Sequence, residues 1–168
     1  RLVIDDPTKM QRVDRLHMWV KKECLFIRLP SGRTLRYWKP SLKMTTRMIK
    51  TVNDEGEIVE VEMTNKEIRY YMVGKDKNNM QRDALYGGKI ADHVTQALAR
   101  DLLACSMMRV EDMDPYNVVI HVHDSICAEV PVGAGNVQEF CNLMEQLPVW
   151  ADGMPVAVEG YRDRYFRG

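Results

Sequence analysis

The sequence predicts an α+β fold: an antiparallel sheet with a long helix and a shorter helix packed on one face, preceded by N-terminal β-hairpins. Three observations carry this prediction. Residues 25–73 are β-favouring runs separated by turn residues. Residues 83–108 change to apolar spacings of three and four with no proline. Residues 117–130 then return to two short strands. Strands followed and separated by helices pack as layers rather than as a bundle.

Taken in order, residues 16–38 read as a hairpin. LFIRL (25–29) is an apolar strand, Pro30-Ser31-Gly32 is turn chemistry, and TLRYW (34–38) resumes the alternation. A second hairpin pairs 48–52 with 58–63 about the charged tip Asn53-Asp54-Glu55-Gly56. KEIRYYMV (66–73) is a further strand, and 74–79 is a polar loop. The long helix is expected over about 83–108, where Ile90, Val94, Ala97, Leu98, Leu102 and Cys105 recur at helical spacing. Residues 117–123 and 126–130 are strands on either side of Asp124-Ser125. Residues 137–147 form the shorter amphipathic helix, and 155–159 a closing strand. The organisation expected is one domain over 1–168, with a hairpin-rich basic segment (16–80) followed by the helix-bearing segment (83–168).

The composition narrows the function. No run of about 18 apolar residues exists, so no membrane-spanning helix is expected. RLVIDDPTK at the start lacks the apolar centre of a secretion signal, which points to the cytoplasm. Four cysteines, at 24, 105, 127 and 141, form no CxxC pair, so they read as core thiols and not as a zinc ribbon. Twelve methionines are scattered and read as core filling. The net charge is zero, yet residues 21–50 hold nine Lys and Arg against one acid, Glu23. Between Arg109 and Arg162 there are nine Asp and Glu and no Lys or Arg. Such a split suits a protein that neutralises phosphates with one part and holds a divalent cation with another, or one with two solvated faces of opposite sign.

Chemistry concentrates in VVIHVHDSICAEVP (118–131). Strand alternation places His121 and His123 on one face, with Ile120 and Val122 on the other. Asp124 at the tip can project its carboxylate clear of the sheet, which suits Mg²⁺, a cation that takes carboxylate oxygens and leaves positions for substrate phosphates. A plain Asp-Ser turn and a His-x-His transition-metal site are the other readings of the same residues. In YGGKIADHVTQALARDLL (86–103), Lys89, Asp92, His93, Gln96 and Arg100 share one helical flank, by spacing alone a solvated face.

LPSGRTLRYW, YGGKIADHVTQALARDLL and VVIHVHDSICAEVP, in this order, resemble the C-terminal third of family A DNA polymerases, in particular the bacteriophage-type branch. The likeness covers about residues 25–160, and the tail MPVAVEGYRDRYFRG resembles that family's closing strand. The resemblance implies a polymerase palm in which Asp124 is the motif C carboxylate, one of two aspartates holding a catalytic Mg²⁺ pair. It implies that His123 and Gln96 contact the primer end and minor groove, with His93, Arg33 and Arg100 as further DNA contacts. His93 stands where the phage branch commonly has Asn. Ser125 stands where the family has Glu, and its hydroxyl is an auxiliary ligand at best. Primer-template DNA and a dNTP are the implied partners. The second metal-binding aspartate and the nucleotide-binding fingers helix are expected before LPSGR, and neither pattern surrounds Asp5 and Asp6. The resemblance therefore implies a portion of a phage or prophage polymerase that works with a further polymerase segment and is inactive alone. A non-catalytic DNA-binding remnant is the alternative.

Overall fold

The computed structural model describes residues 4, 6, 9–53, 56–74 and 79–165. The expected tip residues Asp54 and Glu55, the loop residues 75–78, the tail residues 166–168 and Asp5 lie outside the described residues. Two compact units form, Arg1–Asp92 and His93–Gly168, where the sequence suggests one domain that changes character at 80–83.

The first unit is a six-stranded antiparallel meander in chain order: β1 (Gln11–Val13), β2 (Leu16–Lys21), β3 (Cys24–Arg28), β4 (Thr34–Val52), β5 (Ile58–Val73) and β6 (Met80–Leu85). Of the hairpin expected over 16–38, the two strands named for it are present and paired, with Leu25 opposite Tyr37 and Ile27 opposite Leu35. Two expected breaks are not there. Strands 34–38 and 48–52 are one 19-residue strand, and 58–63 and 66–73 are one of 16. Proline is tolerated within β4 because the ladder shifts register between Trp38 and Ser41, with Lys39 at φ 46°. A bulge is where a strand can hold a residue that has no N–H to give.

β1, β2 and β6 were not legible in the sequence. Residues 83–86, expected as the start of the helix, belong to or follow β6. Tyr70 pairs with Asp83 and Ile68 with Leu85, so a strand ladder overrides the helical spacing there. Beyond Leu42 and Ile68, β4 and β5 pair only with each other among the described residues, as a two-stranded ribbon roughly 34 Å long at about 3.4 Å per residue. Asn53 closes its end by accepting the Glu57 N–H on its side chain at 2.8 Å.

One face of the sheet carries the buried side chains. Leu25, Ile27, Tyr37, Tyr70 and Leu85 share it by register and are almost fully buried. The Tyr37 and Tyr70 rings meet edge to face at 5.1 Å, and burial pushes the Tyr37 hydroxyl up to about 12, helped by Tyr70. At the end of β6, Asp83 pairs with Lys89, which holds the Asp83 carboxyl below its ordinary range and raises Lys89.

Helix α1 (Gly87–Glu111) runs from the first unit into the second. In the second unit a two-stranded hairpin, β7 (Asn117–Val122) and β8 (Ser125–Glu129), is followed by α2 (Val137–Glu145). Val110 of α1, Tyr116 and Leu143 of α2 form the core, with Val118, Ile126, Ala128, Phe140 and Met144 packed around them. Both helices thus cover one side of the hairpin. α2 is capped by Asn136, whose side chain accepts the Gln138 and Glu139 N–H groups, and ends at Glu145, three residues before Pro148. The residue before proline, Leu147, is disfavoured in helix, which explains the early stop against the expected 147. Residues 155–159 are not a strand: the Val158 N–H is taken by the Glu145 side chain at 2.8 Å instead of by a ladder. No helix among the described residues is long and apolar enough to cross a membrane.

Candidate functional site

The β7–β8 hairpin closes through two residues, His123 and Asp124, between the paired Val122 and Ser125. His123 has φ 52°, the left-handed region, which histidine enters more readily than most side chains but still at a cost. A positive φ at the first of two central residues matches the right-handed twist of the flanking strands, as in a type II′ turn. Strand alternation therefore ends at Val122. The expectation that His121 and His123 line one face is corrected: His123 is a turn residue. The ladder also shifts between Val118 and Ile120, so His121 lies opposite Ile126, while Ile120 lies opposite Cys127.

His123, Asp124 and Ser125 are all exposed. Asp124 is the second of the two turn residues. The Ser125 hydroxyl donates to the Val122 carbonyl at 2.9 Å, so it serves the turn. Among the described residues no group of three or more His, Cys, Asp and Glu gathers into a metal-binding set. Asp124 fits as one ligand of a hard cation. His121 and His123 have no third such ligand beside them to complete a transition-metal site among the described residues.

The tip is held from its base. The Tyr116 hydroxyl lies 2.6 Å from a Glu139 carboxylate oxygen, accepts the Asn136 N–H at 2.9 Å, and is 3.0 Å from the Asn136 carbonyl. Burial pushes this hydroxyl above its ordinary range, and the Glu139 carboxylate adds to the effect. Gly135, at φ 70°, passes so close that a Cβ there would lie 3.2 Å from the Tyr116 ring. Glu111 at the end of α1 accepts the Val118 N–H at 2.8 Å. Ser106 and Arg109 of α1 donate to the Met144 and Leu143 carbonyls at 2.9 and 2.6 Å, satisfying the C-terminal end of α2. The hairpin therefore rises from a frame tied at three places. Residue spacing does not mark this frame; Tyr116, just before the strand, is the apolar signal for it.

The structure places His93, Gln96 and Arg100 on one flank of α1, with His93 half-buried and the other two exposed. Arg33 belongs to the other unit, exposed in the β3–β4 turn, where its carbonyl accepts the Leu29 N–H at 2.8 Å. Asp6, weighed as a second carboxylate, pairs with Lys9 at 3.2 Å.

The chain is 31% identical to a DNA polymerase of Bacillus phage SP02 over 161 residues. Those residues are 96% of this chain and 22% of that polymerase, so the chain spans about a fifth of the relative's length. No protein-family model matches the chain. No solved structure matches it.

Proposed function

We propose that the chain is the motif C portion of a family A DNA polymerase palm and contributes one carboxylate to template-directed nucleotidyl transfer. The observation that carries this reading is the similarity to the phage polymerase, which at 161 of 168 residues takes in the helix flank and the hairpin together. The hairpin agrees with the role. Asp124 is an exposed carboxylate at the end of a rigidly based turn, and a non-glycine residue, His123, is kept beside it at positive φ. Unusual backbone held by its surroundings is concentrated at functional sites.

In the reaction, Mg²⁺ would supply activation of the primer 3′-hydroxyl and stabilisation of charge on the leaving pyrophosphate of the dNTP. Asp124 provides one of its ligands, and the second carboxylate comes from polymerase sequence other than these 168 residues. His123 and Gln96 donate hydrogen bonds to the purine N3 and pyrimidine O2 acceptors of the minor groove, which every Watson–Crick pair offers, so pair geometry is checked without reading sequence. Arg33, Arg100 and His93 take up backbone and primer contacts, where cations position the duplex. Ser125 adds little as a ligand because its hydroxyl is turned to Val122.

Supplying an upstream polymerase segment in trans and measuring primer extension with Mg²⁺ tests this reading. Extension that needs both parts and is abolished by Asp124→Asn is expected. Extension indifferent to Asp124 would overturn it. Ser125 in place of a second acid favours one other reading, a DNA-binding portion with no catalysis. DNA binding with steep salt dependence and no restored synthesis would establish that instead.

A further inference from the structure

The face of the six-stranded sheet opposite the buried one has a composition that the fold does not need. By register, Cys24, Trp38, Tyr71 and Arg82 form one row across four strands, each directly opposite the next. The adjoining row is Trp19, Phe26 and Arg36. Aromatic rings and cations interleave in both. Trp38 and Tyr71 lie 5.8 Å apart, with the Arg82 guanidinium 4.8 Å from the Tyr71 ring and Lys39 4.9 Å from Trp38. Trp19 stacks on Phe26 at 5.3 Å with the planes 10° apart, and Arg36 reaches over Phe26 at 6.0 Å.

A solvated antiparallel sheet face ordinarily carries polar residues, whereas this one carries two neighbouring pairs of rings, with Trp38 42% exposed. The charge on this one is predominantly basic. Arg28, Arg36 and Arg82 are exposed, and each stands on a different strand. The acid it carries, Glu67, is engaged by Arg69 at 2.9 Å, and Glu23 in the β2–β3 turn lies 4.0 Å from Lys39.

We propose that this open sheet face binds single-stranded DNA, with bases stacking on the Trp38–Tyr71 and Trp19–Phe26 rings and the guanidinium groups of Arg28, Arg36 and Arg82 taking phosphates. Charge complementarity selects a polyanion, and the rings select one with unpaired bases. A duplex keeps its bases inside and would engage the cations while leaving the rings idle, whereas a single strand offers a π-face at every nucleotide. The surface is distinct from the Asp124 hairpin and does not require Asp124 to be catalytic.

Fluorescence anisotropy of the whole chain with a labelled dT20 strand and with a 20-base-pair duplex, over 50–300 mM salt, tests the proposal. The single strand binds more tightly, and tryptophan emission is quenched on binding. Arg28→Gln, Arg36→Gln and Arg82→Gln together weaken binding on the order of 100-fold at 0.1 M salt. They also flatten the slope of log affinity against log salt by about 2, from about 0.7 per phosphate for single strands. Trp38→Leu weakens binding about tenfold with the slope unchanged. These residues are exposed, and unchanged circular dichroism and Tm confirm that the variants fold. Binding unaltered by the three Arg changes, or a preference for duplex, overturns the proposal. Since no synthesis is measured, loss of complementation with retained dT20 binding counts against the polymerase reading alone, and the converse against this one alone.

Discussion

Replacing Tyr116 by Phe removes a single oxygen at the base of the hairpin, and the structure sets what that costs. The hydroxyl proton is best given to Glu139, whose oxygen at 2.6 Å is nearer than the Asn136 carbonyl at 3.0 Å, and this is a charge-assisted bond. Such bonds contribute about 1.5–3 kcal/mol, and the Asn136 N–H loses its acceptor as well. Asn136 and Glu139 are exposed, so water takes over part of both bonds, and the net loss falls near the lower end, about 1.5–2 kcal/mol. At roughly 2–4 °C per kcal/mol for a chain of this length, Tm falls by about 3–8 °C. Thermal unfolding followed by circular dichroism measures it, and Tyr116→Phe should also raise the mobility of residues 117–129 in hydrogen exchange. A Tm within 1 °C of the parent, with unchanged exchange in the hairpin, would refute the claim that this hydroxyl holds the hairpin to α2.

Other consequences follow from the same geometry. Tyr37, raised to about 12, keeps its proton in the folded state after an unfolded tyrosine has lost its own near pH 10. The folded state then binds more protons, so stability is full below pH 10 and falls as pH rises toward 12, by about 2–3 kcal/mol. Denaturant unfolding at pH 9, 10.5 and 11.5, with tyrosinate absorbance, checks both sign and window. His123→Gly relieves the positive φ and should leave Tm unchanged or raise it by a few degrees, while removing the imidazole that the polymerase reading assigns to the primer end; a lowered Tm would contradict the strain argument. Arg109→Met removes the donor to the Leu143 carbonyl and should cost about 1–2 kcal/mol in urea unfolding, with a native-like spectrum.

What was legible in the sequence was what local patterning decides. Alternation and turn residues marked the 25–38 hairpin, the spacing of Ile90, Val94, Ala97 and Leu98 marked α1, and Asp124-Ser125 between two β-favouring runs marked the candidate site. What pairing decides was not legible. KPS within β4 reads as an interruption, yet a bulge absorbs it. DAL at 83–85 fits a helix equally well, yet Tyr70 and Ile68 capture it as the end of β6. The left-handed backbone at His123 and the bulge before Ile120 arise from turn closure and register, which residue spacing alone does not encode. The aromatic and basic face was hidden for a related reason: Trp38, Tyr71 and Arg82 are far apart in sequence and meet only through the ladders.

Whether Asp124 serves nucleotidyl transfer is decided by primer extension with this chain combined with an upstream phage-polymerase segment, comparing the parent with Asp124→Asn over a Mg²⁺ titration. Mg²⁺-dependent extension is expected with the parent and none above background with Asp124→Asn, although the variant, folded and as stable as the parent, still binds primer-template. Equal extension by the two proteins would contradict that role.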